Sequence, residues 1–416
     1  KEVANAPSLA AAGNQNKAAQ ELIAQAKALY RPDVNFNAGV SATHSDIKYN
    51  GNNSIFKTQG GTGYESYKYG VEARQAIYRK TNLVGIEQSK VQVSIADKQL
   101  YLSCQDLILR TTKAYIDVLN TQDQIALIVA QKAAILSQLE QAKATFEVGT
   151  ATITDVNEAQ ARYDLILSQE IAANNAYEIA RRALQAIVAK TPEKLAVVKP
   201  NLQVQSMAQS MKDWEDLALN NNLNIQLQQD TLKLSEQNIE SAKSGHYPTL
   251  DAVASYNNSY SNGSANGFGS DLKSAVIGLE LNVPIYQGGG VNSKVRQASY
   301  SKDKALDDLE YAKRQADLET QRAYLNLNSS IAQVKALEQA LKSSQSQLDS
   351  TKLGYEVGVR TSVDVLNAQQ QFFSAKRDLL QARYNYLVSI IQLKTASGIV
   401  SDADVQDINQ QLVLNN

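Results

Sequence analysis

Strict alternation of apolar and polar residues marks four short segments of this chain. In "DVNFNAGVSAT" (33–43), every second residue from Val34 to Ala42 is apolar, and the residues between them are polar or glycine. A period of two predicts a β-strand with one apolar and one polar face. Strands are predicted over 33–45, 66–78, 249–260 and 273–286.

Most of the remaining sequence predicts long helices. No proline lies between Pro32 and Pro192, and none follows Pro284, so both windows lack the residue that breaks helix interiors. Apolar residues recur every seven positions from Val93 to Ala114, which is the spacing of a coiled-coil seam. Helices are predicted over about 8–31, 82–146, 154–189, 222–246, 290–353 and 362–397, with a short helix near "MKDWEDLAL".

The sequence also repeats itself over half its length. The segment "YEVGVRTSVDVLNAQ" (355–369) mirrors "FEVGTATITDVNEAQ" (146–160), and Asp155 and Asp364 are 209 positions apart. This period is far longer than that of solenoid repeats, and it predicts a duplicated half-molecule. Each half has the order helix, strand, strand, long helix and return helix. The predicted repeats are 1–209 and 210–416, intertwined as one unit.

Both long helices are predicted to end at the motif "EVG". Gly149 and Gly358 suit a helix C-terminus because glycine adopts positive φ at low cost. The side chains that follow are predicted to cap the return helices. The candidate caps are Thr154 or Asp155 for the first return helix and Ser362 or Asp364 for the second.

Composition narrows the function classes. The 41 basic and 42 acidic residues give no positive surface for nucleic acid, and one cysteine with two histidines offers little material for a metal site. The stretch "QGGGVNSK" lacks the Gly-Lys-Ser/Thr ending of a phosphate-binding loop. No nucleophile–base set is present, and no apolar run reaches the length of a transmembrane helix. We therefore expect neither an enzyme nor a cofactor.

The strands suggest a membrane role. Each is long enough to cross a bilayer at a tilt, with an apolar face for lipid and a charged face for water. Four strands are too few for a barrel, which needs about eight, and open sheet edges are not tolerated in lipid. We therefore expect three chains to pool twelve strands around a symmetry axis, with the long helices continuing the ring as a tube.

Five motifs resemble those of the TolC family of outer-membrane efflux and export channels, across nearly the whole chain. They are "GHYPTLDA" (245–252), "LNVPIYQGGGVNSKVRQA" (281–298), "VGTATITDV" (148–156), "YEVGVRTSVDVLNAQ" (355–369) and "RYNYLVSIIQLKTASG" (383–398). The resemblance implies a mainly α homotrimer, with a small twelve-stranded transmembrane β-barrel in the lipid of the Gram-negative outer membrane. A periplasmic α-helical barrel would continue it.

The resemblance also implies partners and a mechanism. Such a channel serves a tripartite efflux pump or a type I secretion system, and exports drugs or secreted proteins. A periplasmic adaptor and an inner-membrane pump of the RND, ABC or MFS type recruit it. Val148, Gly149, Val357 and Gly358 match the family's adaptor-docking tips.

The family closes its periplasmic end with polar links among the return helices. The matching gate residues are Thr154, Asp155, Tyr355 and Arg360. The entrance constriction matches Asp364 and Asn367, where the family has two acids, so we expect weaker blockage by cations. The family's outer link pairs a glutamine with an acid and matches Gln138 and Lys352, so that link departs from the pattern.

Three alternatives stay open at this stage. A surface stalk built on a coiled coil would also use long helices, although it has no need of strands with an acidic inner face. Asp155 and Asp364 also fit a role as simple helix caps, which does not exclude gating. Within the family, a protein-secretion duct and a multidrug duct have the same sequence features, because the pump selects the client.

Overall fold

Helix dominates the computed structural model, which describes residues 6–47, 60–189, 195–199, 202, 204–205, 207–265 and 268–414. The α-helices are Pro7–Ala28 (α1), Lys80–Glu147 (α2), Ile153–Val188 (α3), Met211–Asn221 (α4), Leu223–Lys243 (α5), Gly290–Glu356 (α6), Ser362–Ala396 (α7) and Asp402–Gln410 (α8). The strands are Asp33–Ile47 (β1), Gly60–Arg79 (β2), Ala196–Val198 (β3), Thr249–Ser261 (β4), Ser270–Asn282 (β5) and Leu412–Leu414 (β6).

All four predicted strands and all seven predicted helices are present. Two strand boundaries were clearly wrong: β2 begins at Gly60 and not at residue 66, and β5 ends at Asn282 and not at Tyr286. Pro284 has no N–H for a ladder hydrogen bond. Beyond it, Gly288 and Gly289 have φ of +59° and +77° and turn the chain toward α6. The sequence also predicts a polar loop over 46–65, of which residues 60–65 belong to β2 and residues 48–59 lie outside the described residues, as do Pro192 and Pro200.

The four long strands form one antiparallel sheet in the order β1-β2-β4-β5. The register aligns Phe36 with Val71, Val71 with Tyr256, and Tyr256 with Ala275. Because side chains alternate between the faces of a strand, these apolar residues share one face of the sheet. That face is uncovered in the chain, since Phe36 is 68% exposed and Ile277 is 89% exposed.

The opposite face of the sheet carries an ion-pair cluster. Arg74 donates to Glu280 at 2.7 Å and to Asp251 at 3.4 Å. Arg79 donates from Nε to Asp251 Oδ1 at 2.9 Å. Asp251 is buried beneath the two arginines, so its charge is compensated where water is scarce. The sheet therefore has one apolar and one charged face, as the alternation predicted.

The return helices are capped one or more residues earlier than predicted. Thr152, and not Thr154 or Asp155, is the N-cap of α3, and Thr361, and not Ser362 or Asp364, is the N-cap of α7. Asp155 and Asp364 occupy the third helical position of each helix, where their carboxylates accept from the N-cap backbone N–H. Thr152 with Asp155, and Thr361 with Asp364, therefore each form a capping box, in which the two residues satisfy each other's backbone N–H groups.

Two compact units share the chain, and each combines segments of both halves of the sequence. One contains 1–15, 97–228 and 308–416, and the other contains 16–96 and 229–307. The division into repeats at 209 stays a prediction. In the first unit, Trp214, Leu327 and Leu387 belong to the main buried cluster. Beside that cluster, the three-residue strands β3 and β6 pair with each other.

Within the described ranges, no helix combines the length and the apolar character needed to cross a membrane.

Candidate functional site at the ends of the helix pairs

The turns α2–α3 and α6–α7 have the same backbone geometry at positions 209 residues apart. Gly149 and Gly358 each have φ of +79°. The amide of Gly149 donates to Phe146 at 2.9 Å, and that of Gly358 donates to Tyr355 at 3.0 Å. Left-handed backbone at this point is cheap only for glycine. The motif "EVG" thus ends both helices in the way the sequence predicted.

Both turns present bare apolar side chains at their tips. Val148 is 74% exposed and Val357 is 65% exposed. No local packing explains two exposed valines at equivalent positions, and clustered exposed apolar residues commonly mark contact surfaces. The docking role predicted for these valines and for Gly149 and Gly358 stays a prediction.

The predicted constriction residue Asp364 is held as a carboxylate. Backbone and side-chain hydrogen bonds from Thr361 hold the pKa of Asp364 below its usual range, and nearby Arg360 acts in the same direction. Hydrogen bonds to the charged form of an acid favour that form. Asp364 therefore combines a structural role as part of the cap with a fixed negative charge at the start of α7.

The predicted gate residues do not bond to one another inside one chain. In the described chain, no hydrogen bond joins Tyr355 or Arg360 to Thr154 or Asp155. Tyr355 is half-buried, and Arg360 is exposed with its stem against Gly354. The predicted gate links therefore need a partner outside this chain, and they stay a prediction.

Gln138 has a buried partner that the sequence reading did not include. Its side chain is 6% exposed, and Nε2 donates to Ser362 Oγ at 3.1 Å. This bond joins α2 to the first turn of α7. Lys352, its predicted partner, is exposed on α6. Beneath the bond, Leu139 and Leu366 belong to a small buried cluster that fixes the two helices together.

Asn367 contacts a residue that sequence reasoning missed. Arg162 on α3 donates from Nη2 to Asn367 Oδ1 at 2.7 Å and from Nη1 to Gln370 Oε1 at 2.6 Å. Nη2 also donates to Glu158 Oε1 at 3.1 Å. The spacing of Glu158 and Arg162 is a helical pair visible in the sequence. Its partners on α7 lie more than 200 positions away, and only the fold brings them near.

No group of three or more His, Cys, Asp or Glu side chains in the described part of the chain is arranged to hold a metal ion.

The chain matches known proteins over nearly its whole length. The profile of the family described as Outer membrane efflux protein matches residues 1–190 and 214–399. The outer membrane protein TolC of Vibrio cholerae is 34% identical over 411 residues, which cover 98% of this chain and 91% of the relative. The alkaline protease secretion protein AprF of Pseudomonas aeruginosa is 28% identical, over 97% of this chain and 84% of the relative.

A solved structure shares the fold at lower identity. The outer membrane protein VceC of Vibrio cholerae superposes with a TM-score of 0.77 at 19% identity, and the match covers 95% of this chain and 94% of that chain.

The long paired helices and the four-stranded sheet are those of an outer-membrane channel subunit. The chain belongs to the outer membrane efflux protein family. It localises to the Gram-negative outer membrane, where it is a channel for efflux or secretion. Channels of this class work as the outer-membrane components of pumps that have further partners.

Proposed function

We propose that this protein is a homotrimeric channel-tunnel that carries drugs, secreted proteins or both across the periplasm and the outer membrane. Three sheets close into a twelve-stranded barrel, and the long helices continue it through the periplasm. The protein forms a passive duct without a catalytic step or a cofactor. Energy is supplied by an inner-membrane pump of the RND, ABC or MFS type, which a periplasmic adaptor couples to the tips.

The sheet is the observation that carries this proposal. Its apolar face is uncovered, whereas its other face holds Arg74, Asp251 and Glu280 in ion pairs. A sheet with these faces suits lipid on one side and water on the other. Among the described residues, β1 and β5 each pair with one strand only. Lipid does not tolerate open edges, and pairing the β1 of one chain with the β5 of the next removes them.

The turns supply the proposed gate. Tyr355 lies at the end of α6 and Arg360 in the turn that follows, and no hydrogen bond among the described residues joins them to Thr154 or Asp155 of their own chain. In a closed ring these donors face the acceptors of a neighbouring return helix. A guanidinium makes charge-assisted hydrogen bonds to a carboxylate or a carbonyl, and such bonds can be broken without unfolding a helix.

The exposed valines supply the proposed docking surface. Val148, Gly149, Val357 and Gly358 form two equivalent tips on each chain, and three chains present six of them. An adaptor that covers these side chains buries apolar surface, which favours binding. The same contact displaces the neighbouring residue Arg360 and couples docking to opening.

Conductance in a planar bilayer tests the proposal. The purified protein is compared with the double variant Tyr355→Phe/Arg360→Ser. Tyr311→Phe/Arg314→Ser is the matched control, because Tyr311 and Arg314 are exposed on α6 and Arg314 bonds to Glu310 of its own helix and to no other described residue. We expect small, stable conductance steps in the wild type and the control, and steps several-fold larger in the gate variant.

The other outcomes separate the alternatives. Conductance steps of equal size in all three proteins would support the channel but show that Tyr355 and Arg360 do not form its gate. If protein that is trimeric in solution fails to insert into the bilayer, the barrel hypothesis is wrong and a surface stalk is favoured.

A further inference from the structure

Among the described residues, one arginine links the return helices α3 and α7 of one chain by hydrogen bonds, beside the apolar packing of Ala159 and Leu366. Arg162 on α3 reaches Asn367 and Gln370 on α7 at 2.7 Å and 2.6 Å, and Glu158 on its own helix at 3.1 Å. We name these four residues the Arg162 cluster. Asn367 lies one helical turn beyond Asp364, so the cluster contains one of the two predicted constriction residues.

The geometry of the cluster is well defined on both helices. Glu158 and Arg162 are four residues apart and face the same side of α3, and Asn367 and Gln370 are three apart on α7. A guanidinium has a planar fork of donors that can address two acceptors at once. Lysine at this position would offer no such fork.

Arg162 is partly buried, whereas its acceptors Asn367 and Gln370 are exposed. Arg162 lines a small cavity together with Ile135, Ile166 and Leu366, and these three apolar residues are buried. The Arg162 side chain is 23% exposed. Its Nε is buried and has no partner among the described residues.

We propose that Arg162 is a positioning residue that ties α3 to α7 within each chain in the closed state, and that this tie is weaker or absent when the entrance is open. This inference rests on the proposed gating of the channel. In the closed entrance, the intrachain tie holds α7 and its Asp364 in place. Loss of the tie lets α7 move separately and favours the open entrance.

The neutral Asn367 sets the strength of this tie. Within the cluster, Arg162 has one carboxylate partner, Glu158, and two amide oxygens. An acid at position 367 would add a charge-assisted bond, which is about twice as strong as a neutral one. The variants Arg162→Met and Asn367→Asp therefore act in opposite directions on the same contact.

Two measurements on the purified full chain test the proposal. Backbone hydrogen exchange over 158–170 reports the attachment of α3, and single-channel conductance reports the entrance. We expect Arg162→Met to raise exchange in this segment about tenfold, as expected for loss of a hydrogen bond to a charged group, and to enlarge the conductance steps. Gln370→Met should give a smaller change of the same kind and add little to Arg162→Met.

Matched variants keep the test specific. Arg314→Met removes an exposed arginine whose partner, Glu310, is on its own helix, and it should alter neither readout. Asn367→Asp should slow hydrogen exchange over 158–170 and reduce the time that the channel spends open. This variant keeps the test usable if Arg162→Met fails to fold.

Each remaining outcome overturns a distinct statement. Faster exchange with unchanged conductance shows a tie without control of the entrance and overturns the proposal. Unchanged exchange in Arg162→Met overturns it as well. Failure of the wild type to conduct, with exchange still faster in Arg162→Met, overturns the proposed channel function and leaves the contact between α3 and α7 intact.

Discussion

The backbone of Gly354 lies against the side chain of Arg360. A Cβ placed on Gly354 would come within 2.8 Å of Arg360 Cγ, which is closer than carbon atoms approach without displacement. In the first turn, Thr145 occupies the position equivalent to Gly354, and Ala151 occupies the position equivalent to Arg360. The order of small and large residue is therefore reversed between the two turns. The second turn therefore accommodates its arginine by omitting a side chain at the end of α6.

Gly354→Ala tests this arrangement. Alanine gains up to about 1 kcal/mol of helix propensity over glycine, and we expect the displaced Arg360 to offset that gain, so that thermal stability changes little. Conductance should rise toward that of Arg360→Ser. Gly85→Ala is the control, since a Cβ on Gly85 in α2 meets no atom within 4 Å. It should stabilise the protein and leave conductance unchanged. Equal behaviour of both variants would contradict the role of Gly354.

Adjacent residues of β5 allow a test of the two faces of the sheet. Ile277 is 89% exposed on the apolar face and Val276 is 55% exposed on the other face. We expect Ile277→Arg to destabilise the membrane-inserted protein by up to roughly 2–4 kcal/mol, since lipid opposes charge near its midplane. Val276→Arg should cost far less. The measurement is the folded fraction in outer-membrane vesicles. Similar losses in both variants would refute the assignment of lipid and water faces.

Blockage by trivalent cations should follow the charge of Asp364. Because the folded pKa of Asp364 is below its ordinary value of 3.8, the carboxylate stays charged as acid is added past that point. Cation blockage, and the stabilising capping box, should therefore persist to lower pH than an ordinary aspartate would allow. Both should disappear as pH falls through the lowered pKa.

Single-channel recordings between pH 7 and pH 3 check this expectation. Asp364→Asn should abolish the blockage at every pH. The control is Asp378→Asn, an exposed acid farther along α7 that pairs with Arg377, and it should keep the wild-type pH profile. Blockage that survives in Asp364→Asn would move the constriction elsewhere.

The buried bond between Tyr384 and Asp123 gives a prediction about stability. The Tyr384 hydroxyl donates to Asp123, and burial raises the pKa of Asp123. We expect Tyr384→Phe to cost roughly 1–3 kcal/mol, because the acid loses its donor. Since this hydrogen bond favours the carboxylate, its loss raises the folded pKa of Asp123 further. Stability then falls more steeply as pH rises through that pKa, so the loss is larger at pH 7 than at pH 4.

Thermal unfolding at the two pH values checks this second expectation. Tyr386→Phe is a suitable control, because Tyr386 is equally buried and its hydroxyl accepts from the neutral backbone amide of Gln205. Its cost should not depend on pH between 4 and 7. A pH-independent cost of Tyr384→Phe would show that Asp123 remains neutral in both proteins.

The period of apolar residues and the positions of the prolines predicted the long helices and strands, because residues near in sequence determine the apolar face of a strand or the seam of a helix. The short strands β3 and β6 were missed because each has three residues and pairs with a segment more than 200 positions away. The N-caps were misplaced because threonine and aspartate alternate near the turn and both can cap. Helix α8 was also missed, although Ser401 and Asp404 form the same capping box there.

In the candidate site, too, local features were predicted from the sequence and long-range contacts were not. Local signals predicted Gly149 and Gly358, whose backbone conformation is a property of the turn alone. Gln138 was found by resemblance, but its contact with Ser362 depends on how α2 packs against α7. Arg162 carried no signal beyond its spacing from Glu158. Its role depends on two neutral amides, which give no pattern in a sequence.

The outer edges of β1 and β5 have a consequence for how the protein is made. Their N–H and C=O groups can be satisfied by water or by another strand, and a bilayer core contains no water. In the proposed trimer, the embedded state is reached only when several chains come together, and its yield depends on protein concentration by mass action. If the trimer forms as proposed, a cell that makes little of this chain is expected to hold a larger share of it outside the membrane.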